Sequence, residues 1–308
     1  MKMVSLKDEL ELYEELKDLM NLVLPHDFID NVFYENLTVN DPNYDPQNIF
    51  FIMDEETPVG FIFGVERTKA PRKVVEEHRE IMWIKAFGCY RKYLLNLEKL
   101  LKFFESYAAD KGKKVIRISD YASWYLTPGV DNLYDEYNAL LVELGYKRVG
   151  VAANYEIDLS RYFIPKYVYR LEEKNRENGI DFIEVRRIDE TLLNWIEENF
   201  SVFWRTEAEM ALKNSYGGVF IARRDENILG FSAYGVLKWN WFGPIGVKKD
   251  IRGKGIGTVL LFKTMSRLRC NGQRIVIIPW TSHLYYYTQL PETYRIRYFN
   301  IYQKELKI

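Results

Sequence analysis

The residues that could do chemistry are concentrated in one short stretch, Val247 to Thr258. It contains Arg252-Gly253-Lys254-Gly255-Ile256-Gly257, three glycines on alternate positions. Without Cβ atoms, these positions let the backbone approach a ligand closely and adopt positive φ. The stretch lies between a predicted strand and a predicted helix, so the free N–H groups of the helix start and its dipole favour an anion there. Lys248, Lys249, Arg252 and Lys254 add positive charge. A pyrophosphate is the guest this combination suits. The order of residues is neither GxxxxGK followed by Ser or Thr, nor the dinucleotide fingerprint GxGxxG.

The elements that must position this loop follow from hydrophobic spacing. Asn240–Val247 reads as the strand before it and Gly255–Arg269 as the helix after it, with Leu261, Met265 and Leu268 on one face and Asn271-Gly272 as its stop. Around them, Asp189–Phe200 is helical. Gly218–Ala222 and Ile228–Tyr234 form a hairpin about Asp225-Glu226-Asn227. Arg274–Ile278 is a strand, Ser282–Leu290 a short helix and Tyr294–Tyr302 a last strand. The first half repeats the order. It has a helix over Ser5–Leu24, a hairpin from Asn48–Met53 and Val59–Val65, and a strand at Ile81–Phe87. A helix over Lys92–Ala109, a strand at Val115–Ser119, a helix over Asn132–Leu144 and a strand at Val149–Ile157 follow. The expectation is an α/β (α+β) chain of two similar lobes, each a mixed, mainly antiparallel sheet flanked by helices. The lobes are expected at residues 1–159 and 180–308, with 160–179 as a linker that has helical propensity.

Composition narrows the function classes. The chain has 308 residues, enough for two domains, and 47% of them are hydrophobic. Forty-three Lys and Arg balance 44 Asp and Glu, so no global charge favours nucleic acid or an anionic membrane. Cys89 and Cys270 form no CxxC pair, and His26, His78 and His283 are scattered, so neither a disulfide framework nor a metal site is expected. No apolar run reaches membrane-spanning length and no signal peptide opens the chain, so a cytoplasmic protein is expected.

Arg252, Gly255 and Gly257 complete the pattern R-x-x-G-x-G, and here the chain resembles the GNAT superfamily of N-acetyltransferases. Trp241–Val247 is similar to that family's bulged fourth strand. The resemblance implies acetyl-CoA as cosubstrate. The backbone at Ile245, Gly246 and Val247 would hydrogen-bond the pantetheine arm, and the amides of Arg252, Gly253, Lys254, Gly255, Ile256, Gly257 and Thr258 would cradle the pyrophosphate. It also implies that Tyr287 is the general acid that protonates the departing thiolate. An ordinary phenol has a pKa of about 10, so it carries its proton at neutral pH. Neighbours on a helix point about 100° apart, so of Tyr285, Tyr286 and Tyr287 only one should face the cofactor. His283 is a spare candidate. Glu207 and Glu209 are candidates for the acceptor side, and no base is assigned. Trp204, Tyr234, Trp239 and Trp241 are candidates for the acceptor pocket or for core.

The matching stretch of the first half, Phe87 to Leu95, has no glycine inside its turn, and Tyr93 and Leu94 are bulky. The first lobe therefore resembles a degenerate GNAT lobe that lacks the pyrophosphate loop. The implied activity is direct transfer of an acetyl group to a primary amine, carried by a small molecule or a peptide, in a ternary complex. An acyl-CoA-binding regulatory module without turnover, or transfer from a different acyl donor, stays open at this point, as does oligomeric state.

Overall fold

The computed structural model describes residues 1–306. Its strands and helices in chain order are β1 (Lys2–Ser5), α1 (Leu12–Val23), α2 (Asn31–Leu37), β2 (Ile49–Asp54), β3 (Thr57–Val65), α3 (Arg72–Val75), β4 (Ile81–Cys89), α4 (Leu94–Asp110), β5 (Val115–Ile118), β6 (Val130–Asp131), α5 (Asp135–Glu143) and β7 (Lys147–Asp158). They continue as α6 (Lys166–Glu177), β8 (Asp181–Val185), α7 (Glu190–Asn199), α8 (Val202–Lys213), β9 (Gly218–Arg224), β10 (Asn227–Tyr234), β11 (Phe242–Val247), α9 (Ile256–Cys270), β12 (Ile275–Thr281), α10 (Leu284–Tyr287) and β13 (Thr293–Glu305).

Two compact units emerge, Met1–Ala152 with Tyr298–Ile308, and Ala153–Arg297. The expected boundaries at 159 and 180 do not hold. The first unit recruits the end of the chain: Tyr302 to Glu305 of β13 pair antiparallel with Ile118 to Val115 of β5. Strand β7 runs through the division, with residues 147–152 in the first unit and 153–158 in the second. Nor is 160–179 a bare linker, because α6 belongs to the second unit and packs on α9. The last two residues assigned to the second lobe, 307–308, lie outside the described residues.

In the first unit β1 to β4 pair successively as antiparallel neighbours. Strand β4 then pairs in parallel with β5, from Ile81↔Val115 to Ile84↔Ile118, and the two part beyond that point. Helix α4 buries Leu97, Leu100, Leu101, Phe104 and Ala108, the i, i+3, i+4, i+7 stripe expected of a helix lying on a sheet.

In the second unit β8, β9, β10 and β11 form an antiparallel sheet. Strand β12 pairs instead with the second half of β7, from Ile275↔Asp158 to Thr281↔Ala153. Helix α9 packs on β9, β10 and β11 and buries Ile256, Val259, Leu260, Leu261, Phe262, Met265 and Leu268. It ends as its sequence dictates. Gly272 takes a φ of 85° and the Gln273 amide donates to the Leu268 carbonyl at 3.1 Å, which satisfies an otherwise orphaned acceptor. Helix α8 and strand β8 were not foreseen. Ser201 starts α8 by accepting a bond from the Trp204 amide at 3.2 Å.

Candidate functional site

The site grows from a divergence of two strands. The start of β11 and strand β12 meet at an isolated parallel bridge between Trp241, the residue before β11, and Ile277. Asn240 fastens this end: its carbonyl accepts from the Ile277 amide at 3.0 Å, and its side-chain amide donates to the Ile275 carbonyl at 3.0 Å. No ladder joins the two strands beyond it among the described residues, so β11 ends its sheet with one edge unpaired. Such an edge presents alternating N–H and C=O groups to any extended chain that carries amides. The register between β10 and β11 slips between the pairs Ser232↔Ile245 and Tyr234↔Phe242, which is the bulge expected of this strand. A cavity of about 890 Å³ opens along the divergence, within the size range of small-molecule sites. Ile245, Gly246 and Val247 form one wall, and Ser282 through Tyr287 another.

The glycine loop closes one end of the cavity. Arg252, Gly253, Gly255, Ile256, Gly257 and Thr258 line it; Lys254 does not, and its side chain is exposed. The amides of Arg252 to Thr258 donate no backbone hydrogen bond among the described residues, which leaves a run of donors free at the start of α9. The three glycines serve different ends. Gly253 has a φ of 83° and open space where a side chain would stand. Gly255 has a φ of 77°, and a Cβ there would lie 2.7 Å from Leu171 of α6. A Cβ on Gly257 would lie 2.9 Å from the Tyr286 hydroxyl. Close approach to ligand was the expected role of all three, yet at 255 and 257 the space is already taken by the protein's own side chains. Arg252 also departs from a simple phosphate contact, because its Nε donates to the Val247 carbonyl at 3.1 Å. The Thr258 hydroxyl donates to Gln289 Oε1 at 3.0 Å and ties the loop to the segment after α10.

The three tyrosines separate as helical geometry requires. Tyr285 is 91% exposed, whereas Tyr287 is 7% exposed. The Tyr287 ring lies against Tyr155, Phe242 and Tyr286, with centroids 5.6, 6.3 and 5.0 Å away. Burial pushes both the Tyr286 and Tyr287 phenols well above their ordinary range, so each keeps its proton at neutral pH. His283 lines the cavity and is exposed. Neither Glu207 nor Glu209 lines it, and Glu209 pairs with Arg205 and Lys213. Of the candidate tryptophans, Trp204 reaches the cavity, Trp241 is buried core and Trp239 is exposed away from it. Tyr234 is fully buried.

Trp204 was a candidate for the pocket, but sequence reasoning missed Phe200, its partner on that side of the cavity. Phe200 and Trp204, at the junction of α7 and α8, stack with centroids 5.1 Å apart and both line it. Phe200 lies over the strand backbone, 2.5 Å from where a Cβ on Gly246 would stand. The Ser201 cap after a helical segment was the signal that could have placed this turn. Among the described residues no cluster of His, Cys, Asp or Glu suits a metal ion, and no helix is long and apolar enough to cross a membrane.

Residues 188–284 match the Acetyltransferase (GNAT) family. The GCN5-related glucosamine N-acetyltransferase region of a fungal multi-domain GH3 β-N-acetylglucosaminidase superposes with a TM-score of 0.75 at 14% identity, over 98% of this chain and 38% of that one. This chain thus spans well under half of that protein. A tandem GNAT protein from the clavulanic acid biosynthesis pathway superposes with a TM-score of 0.68 at 14% identity, over 100% of this chain and 99% of that one. A putative acetyltransferase from Pyrococcus horikoshii gives 0.55 at 13% identity, over 97% and 87% of the two chains. No curated protein matches the sequence. The chain has a tandem GNAT fold, mixed α/β with mainly antiparallel sheets, and its second unit carries the family's sequence signature.

Proposed function

We propose that the second unit transfers an acetyl group from acetyl-CoA to a primary amine by direct attack in a ternary complex. The observation that carries this is the joint placement of the free amides at 252–258, the unpaired β11 edge and Tyr287 around one cavity. The loop binds the pyrophosphate, and the backbone at Ile245 to Val247 pairs with the pantetheine amides. Held there, the thioester is presented to the amine, and much of the barrier is met by orientation. The amine nitrogen bonds to the acetyl carbon, the carbon–sulfur bond breaks, and the thiolate takes the Tyr287 phenol proton. The nitrogen gives up its own proton to solvent, the Tyr287 phenolate regains one from solvent, and a β11 amide stabilises the oxyanion. Neither a metal nor a covalent enzyme intermediate enters this scheme.

Thermal unfolding with and without acetyl-CoA tests the reading, on wild type and on Gly253→Asp. Position 253 has room for a side chain, and aspartate tolerates positive φ better than most residues, so the variant should fold while placing a carboxylate against the diphosphate. Ligand at 100 times its Kd should stabilise the wild type by about 2.7 kcal/mol, with the shift lost in the variant. A folded wild type unmoved by millimolar acetyl-CoA would remove the proposal for this donor.

A further inference from the structure

Helix α6 adds a part to this site that the loop's own sequence does not contain. Asn175 is 4% exposed, and its side-chain NH2 donates twice, to the Leu171 carbonyl at 2.8 Å and to the Lys254 carbonyl at 3.0 Å. Both acceptors are backbone oxygens, so the amino group must face them. Leu171, one turn earlier, lies over Gly255. Glu172 pairs with Lys263 of α9 at 2.8 Å and fixes α6 to the helix that the loop begins.

We propose that Asn175 is a positioning residue for the donor's pyrophosphate, an inference that rests on the acyl-CoA reading above. A trans peptide is planar, with its C=O and N–H pointing in opposite directions. Holding the Lys254 carbonyl toward α6 therefore turns the Gly255 N–H away from Asn175, where it stays available to an anion. Glycine at 255, with its wide range of allowed φ, leaves this peptide less constrained in direction without such a tie. Asn175 makes no contact with the ligand; it sets the direction of a donor that does.

The test is isothermal titration of the full chain with acetyl-CoA and with S-acetylpantetheine, which lacks the pyrophosphate, on wild type, Asn175→Leu and Asn175→Ser. The leucine keeps the volume and removes the donors. The serine is too short to reach and covers the case in which leucine does not fold. Acetyl-CoA should bind the variants about five- to tenfold more weakly, the scale of one lost hydrogen bond, while S-acetylpantetheine binds as before. Equal weakening of both ligands, or of neither, overturns the inference. A wild type that binds S-acetylpantetheine and acetyl-CoA equally well overturns it too, since the pyrophosphate then adds nothing. A wild type that binds neither ligand instead removes the acyl-CoA reading on which the inference depends.

Discussion

Each unit contains a pair of parallel strands that separate, and the two openings have opposite fates. In the first unit β4 leaves β5 after Ile84, and the gap is filled from within. The Tyr137 hydroxyl of α5 donates to the Cys89 carbonyl at 3.0 Å and accepts from the Cys89 amide at 3.1 Å. It thereby satisfies the strand backbone that an extended ligand would otherwise pair with. Burial pushes this phenol up to about 12. The space left there is about 20 Å³, room for about one water. In the second unit the same gap between β11 and β12 holds a cavity of about 890 Å³, and Tyr287 borders it, packed on Phe242, with no hydrogen bond to the β11 backbone among the described residues. A tyrosine hydroxyl that bonds the strand backbone helps turn one gap into core; in the other gap no such bond forms among the described residues and the cleft stays open.

The polar interior follows the same division. Beside the closed gap, Lys85 and Asp41 form a fully buried ion pair at 2.7 Å, and the Lys85 ammonium also donates to the Leu37 carbonyl at 2.6 Å. Asp41 accepts in addition from the Asn43 amide at 2.9 Å. Among the described residues no comparable charge pair lines the open cavity, where rings and glycines predominate.

Three substitutions press on this contrast. Tyr287→Phe carries the largest expected effect: with an acceptor amine found by screening, kcat should fall by about 10²- to 10⁴-fold while the Kd for acetyl-CoA holds. The neutral phenol is the working form. Because burial raises its pKa, wild-type activity should show no fall from this group until the pH exceeds the ordinary phenol range near 10. Turnover unchanged in the variant would reduce Tyr287 to packing. Next, Lys85→Met leaves Asp41 buried without its cation and should cost about 3–5 kcal/mol in denaturant unfolding; adding Asp41→Asn should recover part of that. A loss under about 1 kcal/mol would mean that the pair is not essential to the closed gap. Smallest is Tyr137→Phe, which strips both partners from the Cys89 backbone and should cost about 1–3 kcal/mol. If the variant were as stable as wild type, water would have replaced the hydroxyl, and the filling of the first gap would be steric rather than polar.

The cavity-facing loop was legible because its determinants are local: glycine spacing, basic neighbours and the strand-to-helix transition all fall within a dozen residues. The order of elements in each half could be read for the same reason. What escaped the sequence was partnership. The alternation in Val149–Ile157 and Tyr294–Tyr302 announces strands, but a pattern of period two does not say which sheet receives them. Helix α6 was read as a linker with helical propensity because Leu171 to Asn178 is charge-rich, yet it buries Val168 and Asn175 and sets the half-buried Leu171 between them, an i, i+3, i+7 stripe with a polar residue in it. The polar member broke the hydrophobic signal, and that same residue holds the loop. Phe200 gave no sign of a site role because only the turn between α7 and α8 brings it over Gly246, stacked on the pocket candidate Trp204.

The return of the chain to its first unit also bears on how the protein is made. Ala153–Arg297 is a continuous stretch, so all the contacts within the second unit can form as soon as it has left the ribosome. The first unit lacks Tyr298–Ile308 until synthesis has passed every residue of the second. Its strand β5 waits with an unpaired edge through the production of nearly 180 further residues, from Asp120 to Arg297, before Tyr302 can pair with Ile118. The half that keeps an open cleft can thus be completed first. The half that has sealed its own is the one whose last strand pairing awaits the end of synthesis.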